Sequence, residues 1–116
     1  MNNSKFETLQ VSNVSTVALA DMQTLLVRSI ARKLQHYIKH KRKKPKYSGK
    51  KMIAYFNSEH HMLNRLYETC SNLDIDESVR ERNQKRLKHL HKLLSTAQGL
   101  GFPEPSEKPL YLSRIA

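Results

Sequence analysis

The chain has 116 residues, of which 38% are hydrophobic and 27% charged, and its formal net charge is +11. That length bounds one domain with a modest core, and an ordinary charged fraction fits a folded domain with polar extensions better than full disorder. Three Phe, three Gly and no Trp disfavour a β-rich architecture, whereas the abundant Leu, Lys, Gln, Arg and Ala favour helices.

Residues 1–14 are polar without helical period and read as a flexible N-terminal segment. Within it and just beyond, "VSTVALA" at 14–20 ends like a signal-cleavage site, but Glu7, Gln10, Ser12 and Asn13 interrupt any apolar h-region. The first helix is expected over 15–43, capped by Ser15 or Thr16. Leu19, Met22, Leu26, Ile30, Leu34 and Ile38 recur at steps of three and four, with Leu25, Val27 and Tyr37 widening the stripe. Pro45 stops it, lacking an N–H and biasing Lys44 away from helical backbone.

A second helix is expected over 50–72. It carries Met52, Ile53, Phe56, Leu63, Leu66, Tyr67 and Cys70 inward, with His60 on the same face. Asp74 or Asp76 then caps a third helix over 76–98, with Glu77 in its first turn. Val79, Leu87, Leu90, Leu94 and Ala97 face its core, and Gly99 is a left-handed stop. Residues 100–116 hold three of the four prolines together with Leu100, Phe102, Leu110, Tyr111, Leu112 and Ile115. This extended tail is expected to pack back over the bundle; the alternative is a docking motif for another protein. The fold class is all-α, a small up-down-up three-helix bundle over 15–99.

Charge is unevenly spread. Residues 1–31 balance two bases against two acids, residues 32–51 hold ten bases and no acid, and residues 52–116 hold nine bases and eight acids. The stretch "KHKRKKPKYSGKK" (39–51) follows the last apolar position of helix one, so a core does not explain it, and it reads as a projecting arm. Its bases are Lys39, Lys41, Arg42, Lys43, Lys44, Lys46, Lys50 and Lys51, supported by Arg32 and Lys33 on the preceding turns. A second basic arc lies on helix three, where Arg82, Lys85, Arg86, Lys88, His89 and Lys92 lie away from the apolar stripe. Arg80, Asn83 and Gln84 extend that helix toward possible base contacts.

Such a pattern points to a non-enzymatic protein that grips the phosphate backbone of DNA or RNA. Lys outnumbers Arg in the arm, which suits point-charge contacts and limited sequence readout. Tyr47 is the only aromatic residue in the run, so no stacking platform for single strands is expected. A helix-turn-helix formed by helices two and three is a weaker expectation, because Asp74, Asp76 and Glu77 crowd the approaching end. The alternative function is a helical adaptor or regulator for an acidic protein partner, with the tail as docking motif. A nuclear address also fits "KHKRKKPK" if the host has a nucleus.

No enzymatic constellation emerges. "SGKK" at 48–51 lacks the Gly and the Ser or Thr that a phosphate-binding loop requires, and no acid pair is arranged for proton transfer. His36 and His40 have chelating spacing, but nothing brings a third ligand to them. The histidines are expected to be solvated or phosphate-facing, with no metal and no cofactor. Cys70 has no partner for an intramolecular disulfide, and no apolar run nears the ~20 residues that cross a bilayer. The expectation is a cytoplasmic protein that does not enter membranes, with association with nucleoid or ribosome and a dimer left open.

Overall fold

The computed structural model describes residues 16–70 and 77–114. The N-terminal segment 1–14, the Ser15, Asp74 and Asp76 caps and Ile115 lie outside the described residues, as do the side chains of Thr16, Cys70, Glu77, Val79 and Arg80. Three helices run up-down-up: α1 (Thr16–Lys43), α2 (Lys50–Cys70) and α3 (Glu77–Gly99), followed by a 3-10 turn at Leu110–Arg114. A three-helix all-α bundle is the fold.

Helix α1 is the shared wall. It packs along both α2 and α3, whereas among the described residues α2 and α3 make no close backbone contact with each other, and the 3-10 turn packs on both. The buried positions of α1 are Leu19, Gln23, Val27, Ile30, Leu34, Tyr37 and Ile38. This stripe is shifted from the sequence expectation, for Gln23 is inside and Leu25 is 62% exposed. Phe56, Leu63 and Leu66 of α2 and Leu87, Leu90, Leu94 and Ala97 of α3 complete the helical core. Each of the Val, Leu, Ile and Phe side chains contributes about 1.5–3 kcal/mol of hydrophobic stabilisation when fully buried.

The tail fills the opening between α2 and α3. Helix α3 ends in a Schellman motif: Phe102 N–H donates to the Ala97 carbonyl at 2.9 Å and Gly101 N–H to the Gln98 carbonyl at 3.1 Å. The left-handed residue is therefore Gly101, at φ +111°, two positions beyond the expected Gly99. This reversal drives Phe102 into the core, edge-on to Tyr37 at 4.9 Å and to Phe56 at 5.0 Å between ring centroids. Tyr111 is buried as well, at 1% exposure.

Four residues at helical spacing on α2 hold the rest of the tail. Asn57 Oδ1 accepts from Ser106 N–H, and His60 Nε2–H donates to the Glu107 carbonyl. His61 Nδ1–H donates to the Glu107 carboxylate, while Asn64 donates to that carboxylate and to the Lys108 carbonyl and accepts from Leu110 N–H. These bonds satisfy tail backbone groups that prolines and an irregular path keep out of any helix.

The 39–51 stretch does not project. α1 continues to Lys43, Lys44–Tyr47 forms a turn closed by Tyr47 N–H donating to the Lys44 carbonyl at 2.9 Å, and α2 starts at Lys50. Tyr47 returns onto Tyr37 with centroids 5.8 Å apart. Gly49, at φ +66°, is buried beneath Tyr37, where a Cβ would lie 2.6 Å from two ring carbons. Packing therefore does constrain this segment, through Tyr47 and Gly49, because the apolar contact resumes after the turn rather than along the helix.

Candidate nucleic-acid interface

The bases of the 32–51 stretch divide into two groups. Arg32, Lys39, Arg42, Lys43, Lys44, Lys46, Lys50 and Lys51 are exposed. Lys33 and Lys41 are half-buried and engaged within the fold. Lys33 Nζ lies 3.2 Å from the Glu59 carboxylate, donates to Ser29 Oγ at 2.9 Å and sits 5.9 Å from the centre of the Tyr55 ring. Lys41 Nζ donates to the Tyr47 carbonyl at 2.9 Å and helps fix the turn.

On α3, Arg82, Lys85, Lys88, His89 and Lys92 are exposed and Arg86 is half-buried. Asn83, expected among the base contacts, faces the other way: it is 7% exposed and accepts from Thr24 Oγ1 at 3.2 Å. For a helix-turn-helix, α2 and α3 would have to pack closely on each other, and among the described residues their backbones make no close approach.

Arg28 of α1 meets the basic face of α3 across the α1–α3 seam. Val27, Arg28 and Ala31 of α1 and Lys85, Arg86 and His89 of α3 line an open groove of about 320 Å³. Its floor is apolar and its rims are cationic. α1 and α3 are parallel, because Thr24 meets Asn83 near their starts and Tyr37 meets Phe102 near their ends. The groove consequently lies ~20 Å down the axis from Lys43, at ~1.5 Å per residue. Arg28, Arg32, Lys39 and Lys43 share one strip of α1 at helical spacing and connect the groove to the basic end of the bundle.

Arg28 was absent from the sequence-based set because the charge count placed it in a neutral segment. Its signal was local: it stands four residues before Arg32, on the side away from the buried stripe.

No protein-family model matches the chain, and no curated protein or solved structure is significantly similar to it. Function rests on the geometry of this chain alone.

The histidines are not all solvated. His60 is fully buried, and its Nδ1 accepts from the Tyr111 hydroxyl at 2.5 Å while Nε2–H donates to Glu107. Burial pushes its pKa below the ordinary histidine value, against the smaller opposing pull of Glu107. Burial also raises the Tyr111 phenol well above its usual range. Glu107 is held below the usual carboxylate range, first by the Asn64 amide and then by His61. This group is structural, since every polar atom of the His60 ring is committed to the tail. Among the described residues no three His, Cys, Asp or Glu gather as a metal site, and no helix is long and apolar enough to cross a membrane.

Proposed function

We propose that the protein binds nucleic acid without catalysing a reaction, through phosphate contacts made by the exposed basic strip of α1, the α1–α2 turn and the outer face of α3. The observation that carries this reading is the seam groove, where Arg28 stands across from Lys85, Arg86 and His89. Cations held on both rims of one groove repel each other unless an anion lies between them, and a phosphate backbone supplies such an anion at regular intervals. Two acids are engaged within the fold, Glu59 with Lys33 and Glu107 with His61.

Recognition is led by backbone and shape. Asn83 is turned inward, and the lysines of the turn offer point charges rather than paired donors. The adaptor reading draws less support, because Phe102 and Tyr111 are already buried against the bundle and would have to leave it to dock elsewhere.

The test is fluorescence anisotropy with labelled oligonucleotides of several sequences, comparing the wild type with a variant carrying Arg28, Arg32, Lys85 and Arg86 changed to Ser. The expected result is a similar loss of affinity for every sequence. A loss confined to one sequence, or none, would count against phosphate contact at this surface.

A further inference from the structure

The basic end of α1 carries a feature that phosphate contact leaves unused. His36 and His40 lie face to face, with ring centroids 3.9 Å apart and planes 28° apart. His40 Nδ1–H donates to the His36 carbonyl at 3.0 Å, which fixes the orientation of that ring. The Lys44–Tyr47 turn brings Tyr47 against His40 as well, with centroids at 5.3 Å, and Tyr47 rests in turn on the buried Tyr37. A ladder of rings thus starts in the core and ends at His36. His36 is exposed, and among the described residues no ring other than His40 contacts it.

The exposed ring of His36, lying on the half-buried His40, contributes little to packing. As a chelate the two rings are poorly arranged, because face-to-face rings do not aim their nitrogen lone pairs at a common point, and the His40 Nδ1 is already engaged. What they do present is a flat π-surface continuous with rings behind it. Arg32 and Lys39 lie within one turn of His36, Lys43 lies one turn further, and all three are exposed. Rings for bases beside cations for phosphates is the arrangement by which single strands are held. A duplex keeps its base faces stacked inside and offers this ladder nothing.

We propose that His36 receives a nucleobase of a single-stranded nucleic acid, extending the His36–His40–Tyr47 stack, while Arg32, Lys39 and Lys43 hold the flanking phosphates. This rests on the nucleic-acid reading above and adds to it the strand state of the partner. The sequence hid the feature because Tyr47 is the only aromatic in its basic run; folding supplies the histidines from the preceding turns of α1.

The test measures anisotropy at one fixed pH and salt concentration. Three probes share one length: a single strand, the same strand with abasic sites, and its duplex. The variants are His36→Ala and His36→Phe, at an exposed position that the core does not use. His36→Ala is expected to lose roughly tenfold in affinity for the base-bearing strand and less than about twofold for the other two. His36→Phe is expected to retain or exceed wild-type affinity for that strand. Equal losses on all three probes, or no loss on any, overturn the stacking proposal while leaving phosphate binding intact. Failure of the wild type to bind any probe at low salt overturns both.

Discussion

The Tyr111 hydroxyl donates to Nδ1 of His60 across 2.5 Å, joining the 3-10 turn to the middle of α2. Because Nε2–H is simultaneously given to the Glu107 carbonyl at 2.7 Å, this network requires the neutral imidazole. A proton on Nδ1 would turn the Tyr111 oxygen into the acceptor and leave its O–H without this partner in a buried site.

Stability is therefore expected to fall on mild acidification. The His60 pKa is lowered in the folded state, chiefly by burial, whereas in the unfolded chain it lies near the ordinary value of about 6.5. Between those two values the unfolded state binds more protons, so its contribution is fully present above about pH 6.5 and is lost as pH drops toward the folded value. Glu107, also lowered, adds a loss of the same sign at lower pH. Denaturant melts near pH 7.5 and pH 5.5, about one unit either side of that value, check this; equal midpoints would contradict it.

Removing the phenol alone is expected to cost about 1–3 kcal/mol, because Tyr111→Phe leaves His60 Nδ1 buried without a donor. Phe102→Ala removes the ring between Tyr37 and Phe56 and is expected to cost about 3–5 kcal/mol. Urea unfolding measures both. Costs near zero would show that the tail does not seal the bundle.

Gly49→Ala is expected to destabilise by about 1–3 kcal/mol, since it combines a left-handed backbone with a side-chain clash. The added Cβ would meet Tyr37 at 2.6 Å, and that ring is already confined by Phe102. A free connecting arm would tolerate the change, so an unaltered melting temperature would argue against the packed turn.

Cations within reach of each other should separate by role. Lys33→Ala, which breaks the pair with Glu59, is expected to change nucleic-acid affinity less than about twofold, as surface ion pairs contribute little. Arg28→Ser and Arg86→Ser, on opposite rims of the seam groove, are each expected to weaken binding and to reduce the salt slope by about 1. Anisotropy titrations of the three variants decide this; equal effects would contradict the assignment of Lys33 to the fold.

The helices were legible because burial repeats at their own period. Leu87, Leu90, Leu94 and Ala97 are each inside as the pattern of α3 requires. The tail was legible only in outcome: its apolar residues announced that it must cover something, but irregular backbone has no period to reveal the partner. His60 and Asn64 carry that information, and each looks like a polar interruption of α2 until Glu107 and Leu110 arrive from more than forty positions away. Basic character was plain in the sequence, whereas its distribution over surface and interior was not. Lys33 and Lys41 are adjacent in composition to their exposed neighbours and differ from them only by facing Glu59 and the Tyr47 carbonyl.

The most direct measurement for the central claim is the salt dependence of wild-type binding to a labelled oligonucleotide, plotted as log affinity against log salt concentration. Engagement of about six phosphates predicts a slope near −4 to −5, and hence a loss of more than a hundredfold across about half a decade to one decade of salt. A slope near zero, or no binding at low salt, would contradict a surface built to hold a phosphate backbone.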